Sequence, residues 1–246
     1  QTLSITGTEG GNYEALDTTS TATMATVDDN DVTTLTLNNV TVDEGAGTAT
    51  LSGTLSSAPT DEPLVIALDN GATLTFGIGE TTATSTPFAV QGDDVYLDGE
   101  TITVNASVQS GGDEFENLNV GDTATVTVND TIDTVTVGLT ATPSVAEGGQ
   151  ITYTATLTNA SGNPVTANNA ITVTLANGEV FTIAANSSTG EITVDAPADD
   201  AYDTNAITNS IASVSEANAG EADALENLEV AGDTSVTTTV TDNDTE

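Results

Sequence analysis

The sequence contains no lysine, arginine, histidine or cysteine in 246 residues, whereas its 38 aspartate and glutamate residues give a formal net charge of −38. General bases, activated nucleophiles and groups that stabilise developing negative charge are mostly drawn from the four missing residue types. A pair of carboxylates suffices for a glycosidase. Substrate binding there usually needs aromatic platforms, however, and this chain has no tryptophan and few aromatic residues. The composition therefore predicts that the protein is not an enzyme.

The lack of basic residues also excludes two classes of partner. Phosphate contacts, which dominate nucleic-acid binding, are made largely by lysine and arginine. An anionic membrane surface would repel the chain, and no apolar run approaches the ~20 residues that span a bilayer. We therefore predict no nucleic-acid binding and no membrane insertion. Because the sequence starts at Gln1 without an initiating methionine or a signal peptide, we interpret it as an internal segment of a longer protein.

Without cysteine or lysine, neither disulfides nor lysine–asparagine isopeptide bonds can cross-link the fold. Two carboxylates ~4 Å apart repel each other by about 4 kcal/mol at an effective dielectric constant of 20, and no side chain here supplies a compensating positive charge. Clustered acids therefore require a cation from solution. Hard oxygen ligands favour calcium, so Ca²⁺ is the predicted cofactor.

Hydrophobic residues alternate with threonine along several segments, for example in residues 33–37 and 171–175. Period-two alternation of this kind predicts half-buried β-strands. High net charge with few aromatic residues is also typical of disordered chains, but the alternation and the 37% hydrophobic content favour a folded one. No segment has a helical pattern, so the predicted fold class is all-β.

Three segments end in the same way, which indicates an internal repeat. The spacing from Leu16 to Asp31 equals that from Leu118 to Asp133, and a third copy begins at Leu228. Openings and mid-module motifs recur in the same order. We therefore predict the C-terminal part, strands F and G, of a truncated module at 1–31, followed by complete modules at 32–133 and 134–246. Each complete module has the size of an immunoglobulin-like Greek-key β-sandwich.

Turn signals every 8–12 residues divide each complete module into seven strands. In the middle module we place strands A to G at 33–42, 48–55, 63–68, 72–77, 83–90, 101–108 and 123–129. In such a sandwich the A–B, C–D and E–F loops lie at the same end as the exit of strand G.

Acidic residues gather in these four places, at the end where one module meets the next. Carboxylates that arrive from several strand ends are what six- to eight-fold oxygen coordination of calcium requires. The candidate calcium ligands are Asp28, Asp29, Asp31, Glu44, Asp69, Asp93, Asp94, Glu100, Asp130, Asp133, Glu147, Asp199, Asp200, Asp203, Asp242 and Asp244. Asp98 lies in the same E–F loop. Acids of the opposite end, among them Glu114 and Glu116, are placed to reach the ions of the preceding linker.

The combined motifs V-x-E-G, D-N-G, D-D-x-Y and T-A-T-V-T-V-x-D-x-x-D resemble the tandem repeats of large RTX-type biofilm adhesins and, more loosely, the Calx-β fold. The resemblance implies a bacterial cell-surface, extracellular stalk in which calcium-binding linkers join the modules and project an adhesive region. It implies Glu44, Asp93, Asp94, Asp130 and Asp133 as ligands in the middle module. The glycine-rich RTX nonapeptide is missing. The sequence Gly111–Phe115 spells a diguanylate cyclase signature, but the cationic residues of that enzyme are absent.

Two further functions stay open. One is a glycan- or protein-binding module that uses loop aromatics such as Tyr96. The other is a subunit of a fibre or surface layer, in which strands of a neighbouring chain complete residues 1–31. For the stalk, the expected partners are calcium ions and neighbouring repeats of the same polypeptide.

Overall fold

The computed structural model describes residues 2–12, 14–24, 30–198 and 206–242. This part of the chain forms β-strands joined by turns and loops, with no helix. The strands are β1 (Thr2–Ser4), β2 (Thr21–Thr23), β3 (Val32–Asn38), β4 (Val40–Asp43), β5 (Thr48–Ala49), β6 (Ser52–Leu55), β7 (Leu64–Leu68), β8 (Thr73–Phe76), β9 (Thr82–Thr84), β10 (Phe88–Ala89), β11 (Glu100–Ser110), β12 (Asn117–Asn119), β13 (Thr123–Asn129), β14 (Thr134–Ala141), β15 (Ser144–Ala146), β16 (Gln150–Thr158), β17 (Ile171–Leu175), β18 (Val180–Ile183), β19 (Thr189–Asp195), β20 (Ala206–Asn209), β21 (Ile211–Glu216), β22 (Asn227–Val230) and β23 (Val236–Thr241). The predicted all-β class of sandwich modules is confirmed.

The middle module places a four-stranded sheet, β12-β3-β6-β9, against a five-stranded sheet, β4-β13-β11-β7-β8. The predicted strands agree with these elements to within a few residues, and predicted strand G coincides with β13. Predicted strand A divides into β3 and β4 and so belongs to both sheets. The division occurs at Asn39, whose side-chain oxygen accepts a hydrogen bond from the backbone nitrogen of Thr125 at 2.8 Å. Predicted strands B and E are also divided, into β5 and β6 and into β9 and β10, and β5 pairs with β10 in a separate two-stranded sheet.

The third module repeats this arrangement with β19-β16-β14-β22 on one side and two three-stranded sheets, β15-β23-β20 and β18-β17-β21, on the other. Its strand A also divides, into β14 and β15. The short strands β12 and β22 precede strand G in the two modules and pair in parallel with strand A. The alternation pattern did not predict them, since each is only three or four residues long.

Each complete module has its own hydrophobic core between its sheets. Strand β7 in the middle module and strand β16 in the third alternate buried with half-buried residues. Leu64, Ile66 and Phe76 are completely buried in the middle module, as are Leu157 and Ile171 in the third. Burial of such side chains contributes about 1.5–3 kcal/mol each, so each module has an independent source of stability.

The first strands form an antiparallel hairpin in which Leu3 pairs with Ala22. The equivalent strands of the middle module, β11 and β13, pair in the same register, with Val104 opposite Ala124. Val104 is buried, whereas Leu3 is 54% exposed. The hairpin therefore has the pairing of strands F and G, and within the described part of the chain no sheet packs against its apolar face.

Candidate metal centre at the joint between modules

Glu44 is the central acid of the joint between the middle and third modules. It follows β4, and its backbone nitrogen bonds to the carbonyl oxygen of Asn129 at 2.9 Å, which fixes the A–B turn to the end of β13. Its side chain is only 4% exposed. One carboxylate oxygen, Oε1, accepts a hydrogen bond from the backbone nitrogen of Thr131 at 2.8 Å. The other, Oε2, is buried and accepts none in the described part of the chain.

The E–F loop brings two further carboxylates to Glu44. One oxygen each of Glu44, Asp94 and Asp98 lie within 4.8 Å of one another. The loop is held in place by hydrogen bonds from the backbone nitrogen of Tyr96 to Asp94 Oδ1, at 2.8 Å, and from the backbone nitrogen of Asp98 to Asp130 Oδ1, at 3.2 Å. The loop backbone therefore positions both acids toward the buried glutamate.

A second group includes an acid of the next module. Oxygens of Glu44, Asp130 and Glu226 also lie within 4.8 Å of one another. Glu226 belongs to the F–G loop of the third module, and its Oε2 accepts a hydrogen bond from the backbone nitrogen of Asp133 at 2.6 Å. Its Oε1 is buried and has no hydrogen-bond partner among the described residues.

Burial, together with the nearby negative charge of Glu44, raises the pKa of Glu226 to about 7, although the hydrogen bond from Asp133 opposes the shift. No basic side chain exists anywhere in the sequence to relieve this repulsion. Two buried carboxylate oxygens that have no donor among the described residues, within two groups that together contain five acids, fit a hard cation that accepts oxygen ligands. The donor set fits calcium, because calcium binds carboxylates in irregular geometry with high coordination numbers.

The other predicted ligands of the middle module lie at different distances from this group. Asp93 Oδ1 accepts a hydrogen bond from the hydroxyl of Thr131 at 2.6 Å, next to Glu44. Asp133 contributes its backbone nitrogen to Glu226. Glu100 is exposed at the start of β11. Asp93 is linked to the site through Thr131 and Asp133 through Glu226, but none of the three predicted ligands belongs to the two groups of converging oxygens found among the described residues.

The structure does not bring Asp69 to the joint. Both of its carboxylate oxygens bind Asn105, from the backbone nitrogen at 3.0 Å and the side-chain amide at 2.7 Å. These hydrogen bonds lower the pKa of Asp69. The reason lies in strand β11, which pairs with β13 over Glu100–Asn105 but with β7 only from Ala106 onward. The C–D turn therefore lies part-way along β11 and away from the E–F loop.

The structure describes only some of the predicted ligands at the other joints. Glu147, the counterpart of Glu44 in the third module, is also 4% exposed, and neither of its carboxylate oxygens has a hydrogen-bond partner among the described residues. Asp242 is exposed beyond β23, and the backbone nitrogen of Asp31 bonds to Glu116 Oε2 at 3.0 Å. The predicted ligands outside the described residues are Asp28, Asp29, Asp199, Asp200, Asp203 and Asp244.

The E–F loop also connects the two modules through backbone pairing. Tyr96 forms a β-bridge with Leu225, and Leu97 exchanges hydrogen bonds of 2.8 Å with Ala224 and Asp223 in the third module. The Tyr96 hydroxyl donates to the carbonyl oxygen of Thr166. Its ring packs against the third module's core. Tyr96 is therefore a contact between modules in this structure.

Comparison with known protein families identifies both complete modules. The LapA domain family, which is associated with biofilm adhesins, matches residues 31–131 and 133–243. The chain belongs to the LapA domain family. Its two LapA domains in tandem indicate an adhesin-related role in biofilm formation, at the cell surface or outside the cell. Together with the all-β fold, they indicate a non-enzymatic structural protein.

Other comparisons add little to the LapA assignment. A two-domain protein of unknown function from Bacteroides fragilis is 8% identical, with 69% of this chain and 82% of that protein covered, at a TM-score of 0.29. That similarity is too weak to support any argument. No curated protein matches the chain. No helix of the described residues is long and apolar enough to cross a membrane.

Proposed function

We propose that the chain is a segment of the stalk of a secreted RTX-type adhesin, in which calcium bound at each joint holds neighbouring modules in line. The stalk projects a distal adhesive region away from the cell surface. The observation that carries this proposal is the buried Oε2 of Glu44, which has no donor among the residues that the structure describes and faces acids from both modules. In a chain without basic residues, no side chain can supply the positive charge that would neutralise this group, whereas a cation from solution can.

Glu44, Asp94, Asp98, Asp130 and Glu226 are the residues that would hold calcium at this joint. When bound, the ion supplies positive charge and cross-links the A–B turn, the E–F loop, the exit of β13 and the next module. At a free calcium concentration near 1 mM and a dissociation constant of ~0.1 mM, each site would stabilise the folded state by about 1.4 kcal/mol. With strands of 8–10 residues and a linker, each module would extend the stalk by roughly 40 Å.

The experiment that tests this proposal compares the chain in calcium with the chain in EDTA. Small-angle X-ray scattering should show a narrow distribution of long dimensions in calcium and a broader, shorter distribution after chelation. Differential scanning calorimetry should show a lower melting temperature in EDTA. Unchanged scattering and melting after chelation would reject the calcium-dependent stalk.

The exposed hairpin of residues 2–12 and 14–24 favours a second candidate role. Leu3, Ile5, Leu16 and Met24 are each more than half exposed, although the equivalent pairing in the middle module is covered by a sheet. Strands from a neighbouring chain would bury these residues, as in a fibre subunit. Concentration-dependent association measured by analytical ultracentrifugation would support this role, and its loss after replacing Leu3 and Ile5 with serine would assign it to the hairpin.

A further inference from the structure

Glu226 is the only member of the two acid groups that comes from the third module, and its position is fixed by backbone contacts across the joint. Its backbone nitrogen donates to the carbonyl oxygen of Val95 at 3.0 Å. The preceding Leu225 is buried, which anchors the F–G loop in the core of its own module. The carboxylate is therefore carried by a well-packed loop and directed back toward the preceding module.

The same contact recurs one module earlier. The segment Phe115–Leu118 corresponds to Leu225–Leu228, so Glu116 occupies the place of Glu226. Glu116 Oε2 accepts a hydrogen bond from the backbone nitrogen of Asp31 at 3.0 Å, as Glu226 Oε2 does from Asp133. A solvated acid without a role at the joint would have no reason to accept the equivalent backbone hydrogen bond in two modules whose sequences differ.

We infer that the F–G loop glutamate of each following module, Glu226 at this joint and Glu116 at the preceding one, is a cation ligand donated backward across the joint. This inference rests on the proposed calcium site and identifies the part of it that a single module lacks. A module alone then offers an incomplete site. Calcium binds with full affinity only where two modules are docked.

Reciprocal coupling follows from this arrangement. If docking of the F–G loop raises calcium affinity by some factor, then calcium must favour the docked arrangement by the same factor. The E–F loop participates in both events, because Asp94 and Asp98 face the acid group while Val95 and Leu97 pair with the third module. The ion therefore neutralises the negative charge of the acid groups at the end of the middle module. It also fixes the angle between the two modules directly.

The test uses the whole chain with three single substitutions. Glu226→Gln keeps an oxygen acceptor for the Asp133 nitrogen but removes the charge. Glu44→Gln removes the charge of the buried central acid. The control is Glu221→Gln, which removes an equal charge from an exposed position of the same F–G loop. Calcium binding is measured by isothermal titration calorimetry, with circular dichroism in EDTA to confirm that each variant is folded.

We expect Glu226→Gln and Glu44→Gln each to weaken the joint site by about tenfold or more, because calcium affinity follows the number of charged ligands. Glu221→Gln should bind as the unmodified chain does. If Glu44→Gln weakens binding while Glu226→Gln matches the control, calcium is held by the middle module alone, and the cross-joint ligand is rejected while the calcium stalk stands. If the unmodified chain binds no calcium, both proposals fail.

A second measurement keeps the inference testable if Glu226→Gln does not fold. Glu116→Gln should weaken calcium binding at the preceding joint and leave the Glu44 site unchanged. A normal number of bound ions with unaltered affinities in this variant would overturn the inference for that joint.

Discussion

The Tyr96 hydroxyl of the middle module donates a hydrogen bond to the carbonyl oxygen of Thr166 in the third module. Because the same loop also pairs through its backbone with Asp223–Glu226, the tyrosine reinforces an intermodular contact that already contains several hydrogen bonds. Thr166 is exposed, so water can replace the lost donor if the hydroxyl is removed. The side chain thus acts mainly on the relative orientation of the modules.

The first prediction concerns this contact. Tyr96→Phe should weaken docking by about 0.5 kcal/mol, the lower end of the net contribution of one hydrogen bond, because water can replace the donor at Thr166. Tyr96→Ala should weaken docking more because the ring's packing is also lost. Small-angle scattering in calcium should show a broader distribution of dimensions in the order unmodified chain, Tyr96→Phe, Tyr96→Ala. Equal distributions for all three would show that the tyrosine does not hold the joint.

The second prediction uses two glycines of the A–B turn that have the same backbone conformation. Gly45 has φ of +72° and Gly47 has φ of +76°, so alanine is strained at either position. A Cβ at Gly45 would lie 2.8 Å from Asp93 Cβ, whereas a Cβ at Gly47 would have no atom within 4 Å. Both alanine variants should lose about 1 kcal/mol of stability through the backbone, and Gly45→Ala should lose more.

Calcium affinity separates the two variants further. Gly45→Ala displaces the E–F loop from Glu44 and should therefore weaken calcium binding, while Gly47→Ala should leave it unchanged. Calorimetric titration of both variants measures this difference. Equal calcium affinities would show that the approach of Asp93 to the A–B turn does not matter for the site.

The alternation of apolar residues with threonine was enough to predict most strands of the middle module, because burial on one face imposes a period of two. The recurring acids also indicated the end of the module at which Glu44, Asp94 and Asp130 meet. The place of Asp69 could not be predicted, since it depends on how far along β11 the pairing with β7 begins. That register is set by packing of the whole sheet.

Glu226 was missed as a candidate because its partners lie in another module, and no local pattern separates it from nearby acids such as Glu221 and Glu229. A signal did exist in the repeat alignment. The sequence predicts that Glu116 reaches the ions of the preceding linker, and Glu226 is its counterpart. The candidate site within one module could therefore be predicted from spacing, whereas the intermodular ligand required the relative placement of two modules.

The third prediction is a dependence of stability on pH in the calcium-free chain. The pKa of Glu226 is raised from 4.5 to about 7, chiefly by burial. The folded state therefore binds more protons than the unfolded state between these values, so the free energy of unfolding falls as the pH rises from 4.5 to about 7 and levels off above it.

Glu226→Gln isolates the contribution of this residue. In EDTA the variant should be more stable than the unmodified chain at pH 8 by an amount on the order of 1 kcal/mol, since Glu226 is partly exposed and its charge is screened. The difference should largely disappear near pH 4.5, where Glu226 of the folded chain is protonated. Urea denaturation at the two pH values measures it. A stability difference independent of pH would argue against the raised pKa.

The fourth prediction concerns Glu147, whose two carboxylate oxygens lack hydrogen-bond partners in the described part of the chain. A buried charge without donors costs stability unless a cation compensates for it. Glu147→Gln should therefore raise the melting temperature in EDTA and reduce the further increase that calcium produces. Asp195→Asn is a suitable control because Asp195 lies at an exposed edge position and accepts a hydrogen bond from Gln150 at 3.2 Å. If Glu147→Gln and the control show the same response to calcium, Glu147 is not a ligand, and the equivalence of the Glu44 and Glu147 sites fails.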